Sequence, residues 1–130
     1  NDRVIFDQPA LARLLFDRVR DALVPGIEEW RLIGLNERFR AYRYRPGQHY
    51  APHQDGAYHR SDDERSLFTF MVYLNDDFTG GETVFFRPSY TVRPRTGRAL
   101  LFFHPLLHEG AEVRTGTKYA LRSDVMYRRG

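Results

Sequence analysis

The stretch Leu67-Phe68-Thr69-Phe70-Met71-Val72-Tyr73-Leu74-Asn75, broken at Asp76-Asp77 and Gly80-Gly81 and resumed as Glu82-Thr83-Val84-Phe85-Phe86-Arg87, sets the fold class. It is rich in aromatic and β-branched residues, has no helical period, and is cut by turn formers, so it reads as strand, turn, strand. The same texture continues on both sides. Upstream lie Trp30 to Leu35 and Glu37 to Arg45; downstream lie Tyr90 to Arg93, Arg98 to His104, Ala111 to Arg114 and Thr117 to Arg128. Pro46-Gly47, Pro88-Ser89, Pro94 to Gly97, Pro105 and Thr115-Gly116 punctuate these runs. Many short strands at this spacing indicate a sandwich or barrel rather than a parallel α/β sheet.

Only the N-terminal part reads differently. Asp7 is placed to cap a helix, Pro9 falls in its first turn, and Leu11, Leu15, Val19, Ala22 and Leu23 share one face before Pro25-Gly26 stops it. The expected architecture is mainly β, with this helix, Leu11 to Leu23, packed on one sheet. No linker, repeat or low-complexity segment divides residues 1–130, so a single domain is expected.

Composition narrows the function classes. A chain of 130 residues with 42% hydrophobic and 15% aromatic residues can build one real core and is not disordered. No apolar run has the length of a membrane span. Cysteine is absent, so a metal site must use histidine and carboxylate. The net charge of +3 comes from basic residues scattered among 17 acidic ones, a solvated surface rather than a nucleic-acid face. Of the 20 basic residues 19 are arginine, and Lys118 is the single lysine. The chain opens on Asn1 rather than Met and shows no signal-peptide pattern; the expected compartment is the cytoplasm.

Chemistry enters at Tyr44-Arg45-Pro46-Gly47-Gln48-His49-Tyr50-Ala51-Pro52-His53-Gln54-Asp55-Gly56. His53 and Asp55 are two apart, so on extended backbone both side chains share a face. A further histidine would complete the two-imidazole, one-carboxylate set of non-haem Fe(II) oxygenases. The residues alone offer both His104 and His108, and each reads equally as ligand, surface residue or satisfied core histidine. The polar segment Ala57 to Ser66 is either a solvated loop or a mobile lid over such a site.

From about Asn36 to Tyr127 the chain resembles the iron- and 2-oxoglutarate-dependent dioxygenases of the prolyl hydroxylase group. Four patches carry the resemblance in order: Tyr44 to Asp55 with its Pro-His-x-Asp; Thr69 to Leu74 followed by Gly80-Gly81-Glu82-Thr83-Val84-Phe85; Pro94 to Phe103; and His108 with a basic residue ten positions on, Lys118. His104 falls where the group usually has an aromatic side chain, so the resemblance assigns the third ligand to His108. It implies a double-stranded β-helix (jelly-roll, cupin-like), a squashed barrel of two sheets with the metal near its mouth. It further implies Fe(II) on His53, Asp55 and His108, with 2-oxoglutarate and O2 at the open positions and ascorbate as an optional reductant. Lys118 would hold the far carboxylate of 2-oxoglutarate, helped by the Tyr73 hydroxyl, and Tyr44 would line the site; either tyrosine also reads as a core residue.

The last strand departs from the group. Alternation from Lys118 places Ala120, Arg122 and Asp124 on the same inward face, where the group usually has a small or neutral residue and a tryptophan in place of the charged pair. Arg122 and Asp124 either pair and line the substrate side, in a pocket that Arg40 and Tyr42 beside Tyr44 would complete, or fill the tryptophan's space as an internal salt bridge. The resemblance implies hydroxylation of a C–H bond, with succinate and carbon dioxide as co-products. A prolyl or other residue of a protein or peptide leads as substrate and a free amino acid or small molecule follows. Nucleic acid comes third, for want of a base-reading loop. The rival from another class is a metal-binding jelly roll without catalysis.

Overall fold

The computed structural model describes residues 1–130. In chain order the first strands are β1 (Asp2–Asp7), β2 (Gly26–Ile27), β3 (Trp30–Leu35), β4 (Arg38–Tyr44), β5 (Tyr50–His53), β6 (His59–Ser61) and β7 (Glu64–Tyr73). There follow β8 (Thr79–Gly80), β9 (Thr83–Phe86), β10 (Ser89–Val92), β11 (Ala99–Phe103), β12 (His108–Gly110), β13 (Val113–Thr115) and β14 (Lys118–Arg129). One helix, α1 (Pro9–Val19), lies between β1 and β2.

The longest strand, β14, organises an eight-stranded sheet. One of its edges pairs with β4, from Lys118 opposite Tyr44 to Arg122 opposite Arg40, and then with β3. The other edge pairs with β7, from Ala120 opposite Tyr73 to Arg128 opposite Glu64. A second sheet runs β10-β9-β12-β5, and β8 with β13 forms a separate pair. Two facing antiparallel sheets of this kind make a double-stranded β-helix, as the sequence predicts.

Side-chain alternation gives β14 two faces of opposite character. Leu121, Val125 and Tyr127 join Ala12, Leu23, Leu35, Phe39 and Phe70 in the main core, against which Leu11, Leu15, Phe16 and Val19 of α1 pack. The helix therefore covers the outer face of the large sheet, as expected. Lys118, Ala120 and Arg122 face the other way, into a cavity between the sheets. No helix of the chain is long and apolar enough to cross a membrane.

Several local expectations change. Asp7 ends β1 rather than capping the helix; Gln8 is the cap residue and makes no side-chain cap bond. The helix ends at Val19, and a 3₁₀ turn over Arg20–Ala22 leads to Leu23 in extended conformation. β1 pairs with β4 along its whole length, and its only partly buried side chain is Phe6, stacked on Phe39 at 5.6 Å. An edge strand that buries so little leaves little alternation to read. The polar segment Ala57 to Ser66 is not simply a loop: β6 and the start of β7 form a hairpin there, with Arg60 bridging Glu37 and Glu64.

Candidate active site

His53 ends β5, Asp55 follows it, and His108 opens β12. His53 and His108 are direct cross-strand partners, and their rings lie 4.3 Å apart. One ligand atom from each of the three residues falls within 4.8 Å of the others. His53 Nε2 is 3.2 Å and His108 Nε2 3.7 Å from Asp55 Oδ1. An octahedral metal with bonds of about 2.1 Å places adjacent donors about 3 Å apart, close to these separations.

Hydrogen bonding aims the three donors. His53 Nδ1 donates to the Ala51 carbonyl at 2.7 Å, and His108 Nδ1 to the Leu106 carbonyl at 2.9 Å. A carbonyl can only accept, so each neutral ring carries its proton on Nδ1 and turns a bare Nε2 inward. Asp55 Oδ2 accepts from the Thr69 hydroxyl at 2.7 Å, which leaves Oδ1 for the same point. With both rings in this tautomer, three lone pairs converge on one point, an arrangement a cation stabilises. Burial holds His108 below the usual imidazole range, which favours the neutral, ligating form.

Sequence reasoning did not find what orients Asp55. His104 is buried, and its Nδ1 donates to Thr69 Oγ1 at 2.9 Å, because the Thr69 proton is already given to Asp55. Its Nε2 must then accept from the Ser66 hydroxyl at 2.7 Å, and that oxygen accepts the Tyr58 N–H at 2.8 Å. Every donor has one acceptor, so the chain runs in one direction from Tyr58 to Asp55. The Asp55 N–H also donates to the His104 carbonyl at 3.0 Å. Burial, with Arg122 adding to it, pushes the His104 imidazole down to about 4, so it stays neutral. The signal was present in the strand period, since counting by two from Phe102, opposite Thr69 on β7, points His104 inward.

Lys118 lies in the same cavity, 4% exposed, with its Nζ 5.0 Å from the Tyr44 ring and 5.5 Å from the Tyr73 ring. Burial pulls its ammonium down to about 8, and only Glu82, acting through space, opposes this. Two glycines make room for it. A Cβ on Gly81, whose φ is +69°, would meet Phe78 at 2.8 Å and Lys118 Cδ at 3.0 Å; one on Gly110 would lie 3.3 Å from Tyr50 Cβ and 3.8 Å from the ammonium nitrogen. Of the glycine pair in the sequence, Gly81 is thus required by the lysine beside it, whereas a Cβ on Gly80 would instead strike the Glu112 carbonyl. Burial also raises both tyrosines, so they stay protonated, and the Tyr73 hydroxyl hydrogen-bonds Thr83 Oγ1.

Of the residues expected on the substrate side, Arg122 and Tyr42 line this cavity; Asp124 and Arg40 do not reach its wall. Arg122 Nη2 contacts Asp124 Oδ1 at 3.3 Å, and Nη1 lies 3.8 Å from Asp55 Oδ1. A larger cavity of about 790 Å³ lies elsewhere, between the β9–β10 hairpin and β11. Its wall holds arginines and apolar side chains but no group able to ligate a metal, so the chemistry belongs to the smaller cavity.

Residues 39–123 match the family model described as the 2OG-Fe(II) oxygenase superfamily. Prolyl 4-hydroxylase 1 of Arabidopsis thaliana is 29% identical over 109 residues, covering 65% of this chain and 38% of that protein. A protein of Acanthamoeba polyphaga mimivirus is 33% identical over 101 residues, covering 64% of this chain and 42% of the other. The chain thus spans about two fifths of the length of these curated relatives. Among solved structures, the viral collagen prolyl hydroxylase of Paramecium bursaria Chlorella virus-1, in complex with 2OG, superposes with a TM-score of 0.73 at 23% identity, covering 99% of this chain and 80% of that one. A prolyl hydroxylase of Trichoplax adhaerens, in complex with a hypoxia inducible factor peptide fragment, gives 0.63 at 18% identity over 90% and 54% of the two chains. These last two likenesses support the fold. With about two thirds of its length inside the family model, this chain belongs to the 2OG-Fe(II) oxygenase superfamily.

Proposed function

We propose that this chain is the catalytic part of an Fe(II)- and 2-oxoglutarate-dependent dioxygenase that hydroxylates a C–H bond in a prolyl or other residue of a protein or peptide. The observation that carries the reading is the pairing, in one cavity, of three converging lone pairs with a buried ammonium that has no salt-bridge partner. A jelly roll that only stores a metal has no use for the second feature. An unpaired buried cation costs several kcal/mol, so it persists where a bound anion offsets that cost.

In this reading His53 Nε2, Asp55 Oδ1 and His108 Nε2 would hold Fe(II), and a set of three protein ligands would leave room for 2-oxoglutarate and O2. When bound, iron with O2 and 2-oxoglutarate supplies an oxidant able to break a C–H bond, giving succinate and carbon dioxide as co-products. The protein binds, orients and excludes water. Lys118 takes the far carboxylate of 2-oxoglutarate, with the Tyr73 hydroxyl at hand and the Tyr44 ring keeping water from the ammonium. The Thr69–His104–Ser66 chain holds Asp55 so that only Oδ1 is offered. Ascorbate belongs to the same proposal, as the reductant that restores Fe(II). The peptide class rests on what the relatives are named for and bind.

The test is an anaerobic Fe(II) titration followed by 2-oxoglutarate-dependent succinate release with and without proline-containing peptides. Saturable Fe(II) binding and metal-dependent succinate are expected, with His53→Ala losing both. Metal binding in His53→Ala equal to the wild type would sink the assignment of the ligands.

A further inference from the structure

The cavity contains a second cation that this function does not use. Arg122 lies four residues after Lys118 on β14 and points the same way, about 13 Å further along the strand. One cavity thus has a positive charge in two places, with the metal-ligand cluster against the second of them. Lys118 has its anion in the reading above; Arg122 does not.

The pairing around Arg122 is incomplete. A guanidinium has five N–H donors, yet the one carboxylate it hydrogen-bonds is Asp124, through Nη2 at 3.3 Å; the Tyr42 hydroxyl stands beside it, and Nε is buried with no partner. Its nearest other carboxylate, Asp55 at 3.8 Å, is the proposed metal ligand and gives its Oδ1 charge to the metal when that is bound. Asp124 is shared as well. Burial pushes the Asp124 carboxyl up, and the guanidiniums of both Arg122 and Arg40 pull it down. Arg40 stands directly opposite Arg122 in the β4–β14 register. Arg40 thus acts on Asp124 through space while Arg122 contacts it, and Arg122, 15% exposed, is the one with a face on the cavity.

We propose that the primary substrate of this enzyme carries a carboxylate near the carbon that is hydroxylated, and that Arg122 binds it. This inference rests on the proposed dioxygenase function. An acidic side chain flanking the target residue of a peptide and the α-carboxylate of a free amino acid offer the same chemistry. The metal-bound carboxylate of 2-oxoglutarate is the competing claimant, and it is the weaker one, because its charge is already given to the metal.

The experiment measures binding without turnover, on protein loaded anaerobically with Fe(II) and 2-oxoglutarate. Two matched pairs are compared: proline-containing peptides with Asp or Asn beside the proline, and free L-proline against prolinamide. In at least one pair the acid is expected to bind tenfold or more tightly than the amide, with the gap shrinking as salt rises. Arg122→Gln should close the gap, and Arg122→Lys should keep part of it. Whichever pair shows the gap identifies the source of the carboxylate. Equal binding of acid and amide in the wild type overturns the proposal, as does no binding by either acid, or a gap that survives Arg122→Gln. A loss of 2-oxoglutarate affinity in Arg122→Gln with the gap intact gives Arg122 to the co-substrate instead. Failure of the wild type to bind Fe(II) and 2-oxoglutarate at the outset is a failure of the underlying function, read before any substrate is added.

Discussion

The two faces of β14 follow the same alternation and reach opposite solutions. Toward the helix, Leu121, Val125 and Tyr127 meet Phe39 and Phe70 in a core where the Tyr127 hydroxyl is satisfied by the Val24 carbonyl at 2.7 Å. Toward the smaller sheet, Lys118 is buried and Arg122 largely so, and both are incompletely paired. The first face gains stability from every atom it buries. The second gives stability up, since charge removed from water without a full partner is unfavourable. One strand thus separates a side that holds the fold from a side that carries the proposed site, and each can be tested without the other.

Phe39→Ala gives the largest expected effect. Phe39 is fully buried, and truncation of such a residue costs about 3–5 kcal/mol. The measurement is chemical denaturation beside 2-oxoglutarate affinity of the folded fraction. Stability should fall by that amount and affinity should stay within about twofold. A large loss of affinity would mean that the two faces are mechanically one.

Lys118→Ala should do the reverse. Its ammonium falls from 10.5 to about 8 through burial. The sign follows: between those values the unfolded chain holds a proton that the folded one lacks, so stability rises with pH across that window. Below about pH 8 the full cost of burying the charge is present, about 3 kcal/mol. Removing it should raise unligated stability at neutral pH, by less than that once a cavity is left behind. 2-oxoglutarate affinity should fall about a hundredfold. A Lys118→Ala protein that is less stable and binds 2-oxoglutarate as well as before would make the lysine a structural residue.

His104 sharpens the boundary, since it is a core residue by packing and a site residue by connection. His104→Phe removes the donor to Thr69 and should weaken Fe(II) binding by about tenfold to a hundredfold, the range for partners of metal ligands. His104→Asn keeps an N–H near the Nδ1 position and should recover part of it. With its imidazole depressed to about 4 and buried, the unfolded chain takes up a proton first as the pH drops through 6.5. Stability should therefore decline between pH 6.5 and 4, and the decline should flatten in His104→Phe. Equal Fe(II) affinity in His104→Phe would leave the hydrogen-bonded chain as packing only.

The division between the faces also explains what could be read in advance. Strand texture and the helix stripe come from residues that repeat with the period of their element, so the mainly β fold and the outer helix were legible. β5, β8 and β12 are two to four residues long and were not, because a period needs several repeats to show. At the site, His53, Asp55, His108 and Lys118 were identified through the resemblance, whereas the residues alone left His104 and His108 equal. His104 was passed over because its role depends on Thr69 and Ser66, brought to it by pairing between β7 and β11. The charged inner row of Arg122 and Asp124 was visible from alternation; that Asp124 stands behind Arg122 and away from the cavity was not.

Tyr73→Phe carries the smallest expected effect and decides a point the sequence left open. The Tyr73 side chain is fully buried, its ring flanks Lys118, and its hydroxyl bonds Thr83 Oγ1. A core tyrosine needs nothing more than that bond. The hydroxyl also stands 3.5 Å from the Val92 carbonyl, so a tyrosine that donates to the co-substrate must accept from Thr83 and turn its own proton from Val92 to the carboxylate proposed for Lys118. The two cases differ in what the single mutant changes. If the hydroxyl serves only Thr83 and the Val92 carbonyl, Tyr73→Phe loses about 1 kcal/mol of stability and 2-oxoglutarate affinity is unchanged. If it reaches the carboxylate, affinity falls by about threefold to tenfold, and Thr83→Val lowers it too by removing the donor that orients Tyr73. We expect the second pattern, because Thr83 lines the cavity that holds Lys118 and its buried hydroxyl links that wall to Tyr73, which stands behind it. Isothermal titration of the anaerobic Fe(II) protein with 2-oxoglutarate resolves a threefold change. An unchanged affinity in both variants would move Tyr73 across the strand's divide, from the side that binds to the side that holds.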